Sequence, residues 1–155
     1  MTNVRVDDFG EQARIERLAV FLTDLRSFWP LLVPVATGWW RKQFDTSGEF
    51  GGQQWAPLSP GYEAWKSVNF PGKGILQRTG EMKRAASNPS RAVTPTSLTL
   101  TIESDVLPYH QQDDNAVGGR LPRRPLVFGE PLPADAQAEL DAVAEGYVRD
   151  LLGRL

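Results

Sequence analysis

Near the start of the chain, apolar residues recur every three or four positions. The stripe consists of Ile15, Leu18, Ala19, Leu22 and Leu25. This spacing predicts an amphipathic helix over residues 11–29, with charged residues on its other face. Because Pro30 cannot donate to the helical hydrogen-bond ladder, we expect it to end this helix. A second helix is predicted from about 31 to 44 with Pro34 in its first turn, and the two form the N-terminal helices, 11–44.

The middle of the chain has the alternation that is typical of a strand. Leu98, Leu100 and Ile102 alternate with threonines and a glutamate over residues 97–103. One face of this strand is therefore expected to be buried and the other to face water. Residues 91–94 are expected to pair with it as a hairpin.

A second helical stripe near the end of the chain predicts a C-terminal helix over residues 134–152. It consists of Leu140, Val143, Ala144, Tyr147 and Leu151. Short helices are expected near 59–67 and 79–86. Together these elements predict an α+β fold in a single domain, 1–155, in which a small antiparallel β-sheet is flanked by N- and C-terminal helices.

The composition is that of an ordinary globular protein and excludes several kinds of site. The 155 residues include 41% hydrophobic and 23% charged side chains, and no cysteine. The lack of cysteine excludes disulfides, thiol catalysis and thiolate metal sites. Since His110 is the single histidine, no two-histidine metal site can form, and no G-x-S-x-G elbow supplies a nucleophile. We therefore expect no catalytic residue, no metal and no cofactor.

No stretch of the sequence is apolar for long enough to cross a bilayer. The longest candidate, residues 28–40, is interrupted by two prolines, a threonine and a glycine. It falls short of the roughly 20 residues that a spanning helix needs. Asp7 and Asp8 lie where a secretory signal peptide would have its basic end and apolar centre. We expect no membrane partner and no export from the cell that makes the protein.

Basic and acidic residues are separated along the chain. Residues 63–91 contain six basic and two acidic side chains, whereas residues 130–155 contain six acidic and two basic ones. One interpretation is a set of solvated helix surfaces, which commonly carry such runs. The other is self-complementarity, in which the acidic helix of one copy contacts the basic middle of the next. Head-to-tail contacts of this kind close into rings when the rotation between subunits permits.

Three arginines on a proline-bounded segment are candidate interaction residues. Arg120, Arg123 and Arg124 carry forked guanidinium groups, which bind phosphates or carboxylates through paired hydrogen bonds. The formal net charge of −2 is opposite to the basic balance of a dedicated DNA-binding protein. We therefore expect at most weak, non-specific and salt-sensitive contact with DNA.

Two adjacent tryptophans are candidate anchors of a protein–protein contact. On a helix, Trp39 and Trp40 would point about 100° apart, which makes both hard to bury in one small core. Core packing is one interpretation of these aromatic side chains. The other is that part of their surface stays exposed and binds a partner.

Two stretches of the chain resemble a known family. The first runs from Phe44 and Gly48 through Trp55-Ala56-Pro57-Leu58-Ser59-Pro60 and Lys66 to Gly74-Ile75-Leu76-Gln77-Arg78-Thr79-Gly80. The second consists of Tyr109-His110-Gln111-Gln112, a glycine-bearing loop, and Leu121-Pro122-Arg123-Arg124-Pro125-Leu126-Val127-Phe128-Gly129. Their order and spacing, over about 44–129, are similar to those of the phage virion morphogenesis family, the tail completion proteins of tailed bacteriophages. The predicted flanking helices fall where that family has them.

The resemblance implies a structural virion protein at the neck, where the head and tail of the particle join. Members of the family act as rings, usually sixfold, that finish the tail or couple it to the head connector. The resemblance therefore implies a homo-oligomeric, expected hexameric, ring that contacts the head connector or stopper and the tail tube proteins. It also implies assembly in the host cytoplasm and a final place in the virion. A tail terminator, a head-side completion ring and a tail-to-head joining protein fit equally well.

Under this interpretation the segment 118–128 and the terminal helix dock against a neighbouring subunit or ring. Arg123 and Arg124 would be charge-assisted anchors of that contact, and Phe128 an apolar one. The alternative is a non-catalytic protein-interaction module of a bacterial host, which would remain a monomer or dimer at micromolar concentration. An enzyme centred on His110 is a third interpretation.

Overall fold

A computed structural model of the chain describes residues 9–112 and 121–154. Its elements are α1 (Phe9–Thr23), α2 (Trp29–Asp45), α3 (Pro60–Asn69), α4 (Glu81–Ser87), β1 (Ser90–Val93), β2 (Leu98–Thr101), α5 (Leu107–Gln111) and α6 (Ala134–Arg154). The predicted α+β fold, with helices on both sides of a small antiparallel sheet, is confirmed. Among the described helices, none is both long and apolar enough to cross a membrane.

The first helix ends earlier than the sequence predicts. After α1 stops at Thr23, Asp24 takes an extended conformation and accepts a hydrogen bond from the backbone N–H of Arg26 at 3.1 Å. This local bond starts a 3-10 turn, so the chain bends before it reaches Pro30. Pro30 lies in the first turn of α2. Backbone N–H groups in the first turn have no acceptor within the helix, so a proline there costs no helical hydrogen bond. The prediction that Pro30 ends the first helix is therefore wrong, because it begins the second.

The corner between α1 and α2 is tied to the hairpin. The backbone N–H of Leu25 donates to the carbonyl of Pro95 at 2.8 Å. The indole Nε1 of Trp29 donates to the carbonyl of Thr94, also at 2.8 Å. The point at which α1 leaves the body is therefore held by two hydrogen bonds from residues distant in the sequence.

The predicted hairpin is confirmed, with a first strand of the expected length, shifted by one residue, and a second strand shorter than expected. β1 and β2 pair antiparallel, and Val93 lies opposite Leu98. Leu98 and Leu100 are half-buried while the threonines between and beyond them are exposed, as the alternation predicts. All of β1 is exposed, so the hairpin covers the body with one strand only.

The hydrophobic core lies between α2, α4, α5 and the loops on either side of them. Its buried members are Trp40, Phe44, Trp55, Met82, Ala86, Leu107 and Leu126. The rings of Phe44 and Trp55 meet edge to face with their centroids 5.9 Å apart, a favoured arrangement for aromatic pairs. The short helix α5 is absent from the sequence predictions, because five residues are too few to show a helical period.

Candidate functional site

The predicted arginine cluster does not act as one surface. Arg120 lies outside the described residues, Arg123 is exposed, and Arg124 is only 5% exposed. From Nε and Nη2, Arg124 donates to the carbonyls of Ala56 and Pro57 at 2.8 and 3.0 Å. Residues 54–59 belong to none of the helices and strands of the described chain, so these carbonyls take a side-chain donor instead. The prediction that Arg124 is an exposed anchor for a neighbouring subunit is therefore corrected, since its guanidinium is buried and two of its donors hold its own chain.

The two adjacent tryptophans have different surroundings. Trp40 is 7% exposed and belongs to the core, so its predicted role as an exposed anchor is wrong. α2 packs against both α4 and α6. Two side chains of α2 that point about 100° apart can therefore both be covered by neighbouring helices. Trp39 is half-buried and donates from Nε1 to the carboxylate of Glu139 at 3.1 Å. Its ring lies 6.0 Å from that of half-buried Phe128, so the structure does bring these two predicted residues together.

A cavity of about 640 Å³ opens between α3, α4, α5 and the segment 121–124. We call it the cationic pocket, because the side chains of Lys66, Arg78 and Arg124 line it. One carboxylate, Glu81, also lines it. None of the ion pairs among the described residues includes one of these three cations. The cationic pocket therefore holds an excess of positive charge that the described part of the chain does not pair.

Lys66 is the most deeply placed of the three cations, with 4% of its surface exposed. Its ammonium group donates to the carbonyl of Gly74 at 2.5 Å. Burial lowers the pKa of Lys66 below its usual 10.5, and the charges of Arg124 and Arg78 act in the same direction. A negatively charged group in the pocket would reverse this effect, because it stabilises the charged ammonium.

His110, on α5, also lines the cationic pocket and is 8% exposed. Its backbone carbonyl accepts a hydrogen bond from the Arg124 N–H at 3.0 Å, while its buried side-chain Nδ1 has no partner among the described residues. Burial lowers the pKa of His110 below its usual 6.5, and the nearby charge of Arg124 lowers it further. The imidazole is therefore expected to be neutral at pH 7. Its protonation in the folded chain is expected to lower the stability of the fold.

We expect the folded chain to lose stability as the pH falls below 6.5, and His110 to be the cause. Between the ordinary pKa of 6.5 and the lowered folded value, the unfolded chain binds a proton that the folded chain does not. The free energy of unfolding is then fully retained above pH 6.5 and falls below it by at most about 1.4 kcal/mol per pH unit. Urea unfolding at about pH 7.5, 6.5 and 5.5 measures this slope.

The matched variant is His110→Gln, which removes the only histidine of the chain. Its free energy of unfolding is expected to change less between these pH values than that of the wild type. An equal slope in both proteins would show that another group takes up the proton.

The apolar stripe of α1 faces mostly water. Among residues 10–23 none is buried, and Ile15 is 65% and Leu22 46% exposed. Leu18 is half-buried, and α6 is the helix against which α1 packs. We call residues 10–23 the apolar arm. The predicted helix is present, but the described chain leaves most of its apolar face uncovered.

A second uncovered apolar surface lies between α2, the hairpin and α6. It is a shallow depression of about 470 Å³, which we call the apolar groove. Its walls are mainly aliphatic and aromatic side chains: Trp29, Leu32, Val35, Ala36, Trp39, Leu98, Leu100, Leu132 and Leu140. The apolar arm and the apolar groove are therefore separate faces of the same subunit.

Sequence reasoning did not single out Lys66 or the pocket around it. In the sequence, Lys66 is one member of a family-like stretch and of the basic run at 63–91. Its pocket is assembled from segments around positions 58, 66, 78, 110 and 124, and no local spacing reveals that they meet. The one available signal was that several of these positions lie in the two family-like stretches.

Known proteins offer no further guide to this chain. Comparison with models of protein families found no match, and searches of curated proteins and of solved structures also found none. The similarity of residues 44–129 to the phage family therefore stays a proposal, and the function has to be inferred from the surfaces described above.

Proposed function

We propose that the chain is a structural virion protein of a tailed phage, a ring-forming subunit at the neck that completes the tail or joins it to the head. The packing of the two family-like stretches supports this. Trp55 in the first stretch donates from Nε1 to the carbonyl of Pro125 in the second at 2.9 Å. Arg124 adds its two bonds to the carbonyls of Ala56 and Pro57. The residues that carry the resemblance thus form one bonded unit rather than two unrelated matches.

The observation that carries the proposal is the uncovered apolar arm. α1 has 15 residues and is therefore about 22 Å long. A helix of this length gains most of its stability by burying its apolar face, and is marginal in water without that burial. Contiguous exposed apolar surface is typical of sites where another protein binds. The arm is therefore expected to be covered in the working protein.

We infer that the arm of one subunit lies in the apolar groove of the next. Because arm and groove are different surfaces, the contact is head-to-tail, and repetition of such a contact closes into a ring where the rotation between subunits permits. α6 borders the groove and carries five acidic and two basic residues, whereas the arm carries two acidic and two basic ones, Glu11, Glu16, Arg14 and Arg17. The pairing of arm and groove therefore depends on their apolar surfaces rather than on opposite charges. A sixfold ring, contacts with the head connector or stopper and the tail tube, and a place in the virion belong to the same proposal.

The mass of the purified protein at micromolar concentration tests this proposal. Light scattering of the wild type is expected to give a multiple of 17.2 kDa that corresponds to a closed ring. In the double variant Ile15→Asp/Leu22→Asp, two carboxylates lie on the apolar stripe of the arm. We expect this variant to sediment and scatter as a single subunit, because burying both charges in the apolar groove is strongly unfavourable.

The matched control is Ala13→Asp/Val20→Asp. It has the same charge change and the same seven-residue spacing, but these positions lie about 150° around the helix from the stripe. The control is expected to keep the mass of the wild type. A wild-type mass of one or two subunits would contradict the ring and favour the host interaction module. Portal, capsid and tail tube genes beside the reading frame would support the phage assignment independently.

A further inference from the structure

The cationic pocket has the composition of an anion-binding site. Lys66 and Arg124 are at least nine-tenths buried, and Arg78 lies at the exposed side of the same cavity. Removing charged groups from water is costly unless an opposite charge pairs with them. Glu81, the one carboxylate among the described lining residues, is exposed, and its side-chain oxygen accepts a hydrogen bond from Ser104. Within residues 9–112 and 121–154 the buried cations thus have no ion-pair partner of the kind that buried charges ordinarily have.

Both buried cations also keep hydrogen-bond donors for which the described part of the chain supplies no acceptor. The ammonium group of Lys66 has three donors and makes one hydrogen bond, to Gly74. The guanidinium of Arg124 has five N–H donors, of which the bonds to Ala56 and Pro57 use two. Nearby, the buried Nδ1 of His110 is unpartnered among the described residues. An oxygen-bearing anion in the cavity could accept hydrogen bonds from Lys66 and Arg124 at once.

The walls of the pocket show which kind of anion fits. Most of the remaining lining is apolar, and includes Leu58, Leu76, Met82, Val106 and Leu121. The volume of about 640 Å³ lies within the range of small-ligand sites, which is about 300–1,000 Å³. A bare phosphate would leave these apolar walls without a contact. A single carboxylate on an apolar stem satisfies both the cations and the walls.

We propose that the cationic pocket binds a carboxylate carried on an apolar stem, with the carboxylate at Lys66 and Arg124. The carboxylate can belong to a free aliphatic acid or to an acidic side chain flanked by apolar residues in a partner peptide. The chemistry of recognition is the same in both. This site does not depend on ring formation, so its test and the mass measurement above can succeed or fail separately.

Titration of the full-length protein with hexanoate, followed by backbone amide NMR shifts and by calorimetry, tests the proposal. Hexanoate is expected to shift amides of the segments 57–66, 76–82 and 121–124. Hexanamide has the same stem without the charge, and inorganic phosphate has charge without the stem. Both are expected to bind at least about tenfold more weakly, since each lacks one of the two kinds of contact.

Two variants and one control locate the binding site. Lys66→Met is expected to weaken hexanoate binding about tenfold or more. Its fold is expected to persist, because the Gly74 residue that Lys66 contacts is exposed and water can replace the ammonium. Arg78→Gln, at an exposed position, is expected to weaken binding less, by about threefold. Arg91→Gln changes an exposed arginine on β1 that does not line the pocket, and is expected to leave the affinity unchanged.

A comparison of hexanoate with the blocked tripeptide Leu-Glu-Leu distinguishes the two sources of the carboxylate. If Leu-Glu-Leu binds more tightly than both Leu-Gln-Leu and hexanoate, the pocket is assigned to a partner peptide. If hexanoate binds more tightly than Leu-Glu-Leu, the pocket is assigned to a small acid. Equal binding of hexanoate and hexanamide would overturn the proposal. Wild-type affinity in both Lys66→Met and Arg78→Gln, or no hexanoate binding at millimolar concentration, would overturn it as well.

Discussion

Replacing Arg124 with methionine is expected to lower the free energy of unfolding by about 2–3 kcal/mol. Methionine keeps much of the side-chain volume but donates no hydrogen bond, so the carbonyls of Ala56 and Pro57 lose their donors. The loss is smaller than two charge-assisted bonds alone would give, because a buried charge is removed at the same time. Urea unfolding followed by tryptophan fluorescence measures the difference.

Arg123→Met is the matched control for this prediction. Arg123 is the neighbouring residue in the same segment, but its side chain is exposed. Exposed substitutions usually change the free energy of unfolding by less than about 1 kcal/mol. Equal losses in the two variants would mean that Arg124 does not hold the segment 56–57 in the way described.

Replacing Gly48 with alanine is expected to cost about 3–5 kcal/mol of stability, the largest effect that we predict for one methyl group. Gly48 has φ +92°, in the left-handed region that side chains rarely adopt. An added Cβ would lie 2.4 Å from Cδ1 of Trp55 and 2.5 Å from the carbonyl oxygen of Gln53. Trp55 is 3% exposed in the core, so it cannot move aside without disturbing the ring of Phe44 that it meets edge to face.

Gly52→Ala separates the two causes of this loss. Gly52 has a similar φ of +83°, but an added Cβ there meets no atom within 4 Å. Its substitution is expected to cost only the backbone conformation, about 1–2 kcal/mol. Urea unfolding of both variants gives the comparison, and a Gly48→Ala loss no greater than that of Gly52→Ala would argue against the close contact with Trp55.

The parts of the fold that depend on local patterns were predictable. The apolar stripe at 134–152 and the alternation at 97–103 are each visible as a single repeat of apolar positions, and the helix and the strand that they predict both form. The end of α1 was not predictable from Pro30, because the bend depends on a bond between Asp24 and Arg26 that competes with helix propensity. The spacing of an apolar stripe also cannot show whether another part of the chain covers it, and residues 9–112 and 121–154 leave most of the α1 stripe uncovered.

The candidate sites depend on long-range contacts and were harder to predict. Arg123 and Arg124 are neighbours of the same residue type, and no local pattern distinguishes them. The backbone carbonyls that accept hydrogen bonds from Arg124 lie 67 and 68 residues away in the chain. Trp39 and Trp40 were correctly expected to point in different directions, but the pattern could not show that α4 and α6 cover both directions. A buried lysine such as Lys66 is unexpected for its residue type, so composition and periodicity would have placed it on the surface.

The two hydrogen bonds at the corner, from Leu25 to Pro95 and from Trp29 to Thr94, fix the direction in which α1 leaves the body. If neighbouring copies associate through α1, its angle is already set before they meet. Docking would then lose less conformational entropy than the folding of a flexible tail onto a partner. The curvature of an assembled ring, and with it the number of copies that close it, would in that case be encoded at this joint rather than in the contact surface itself.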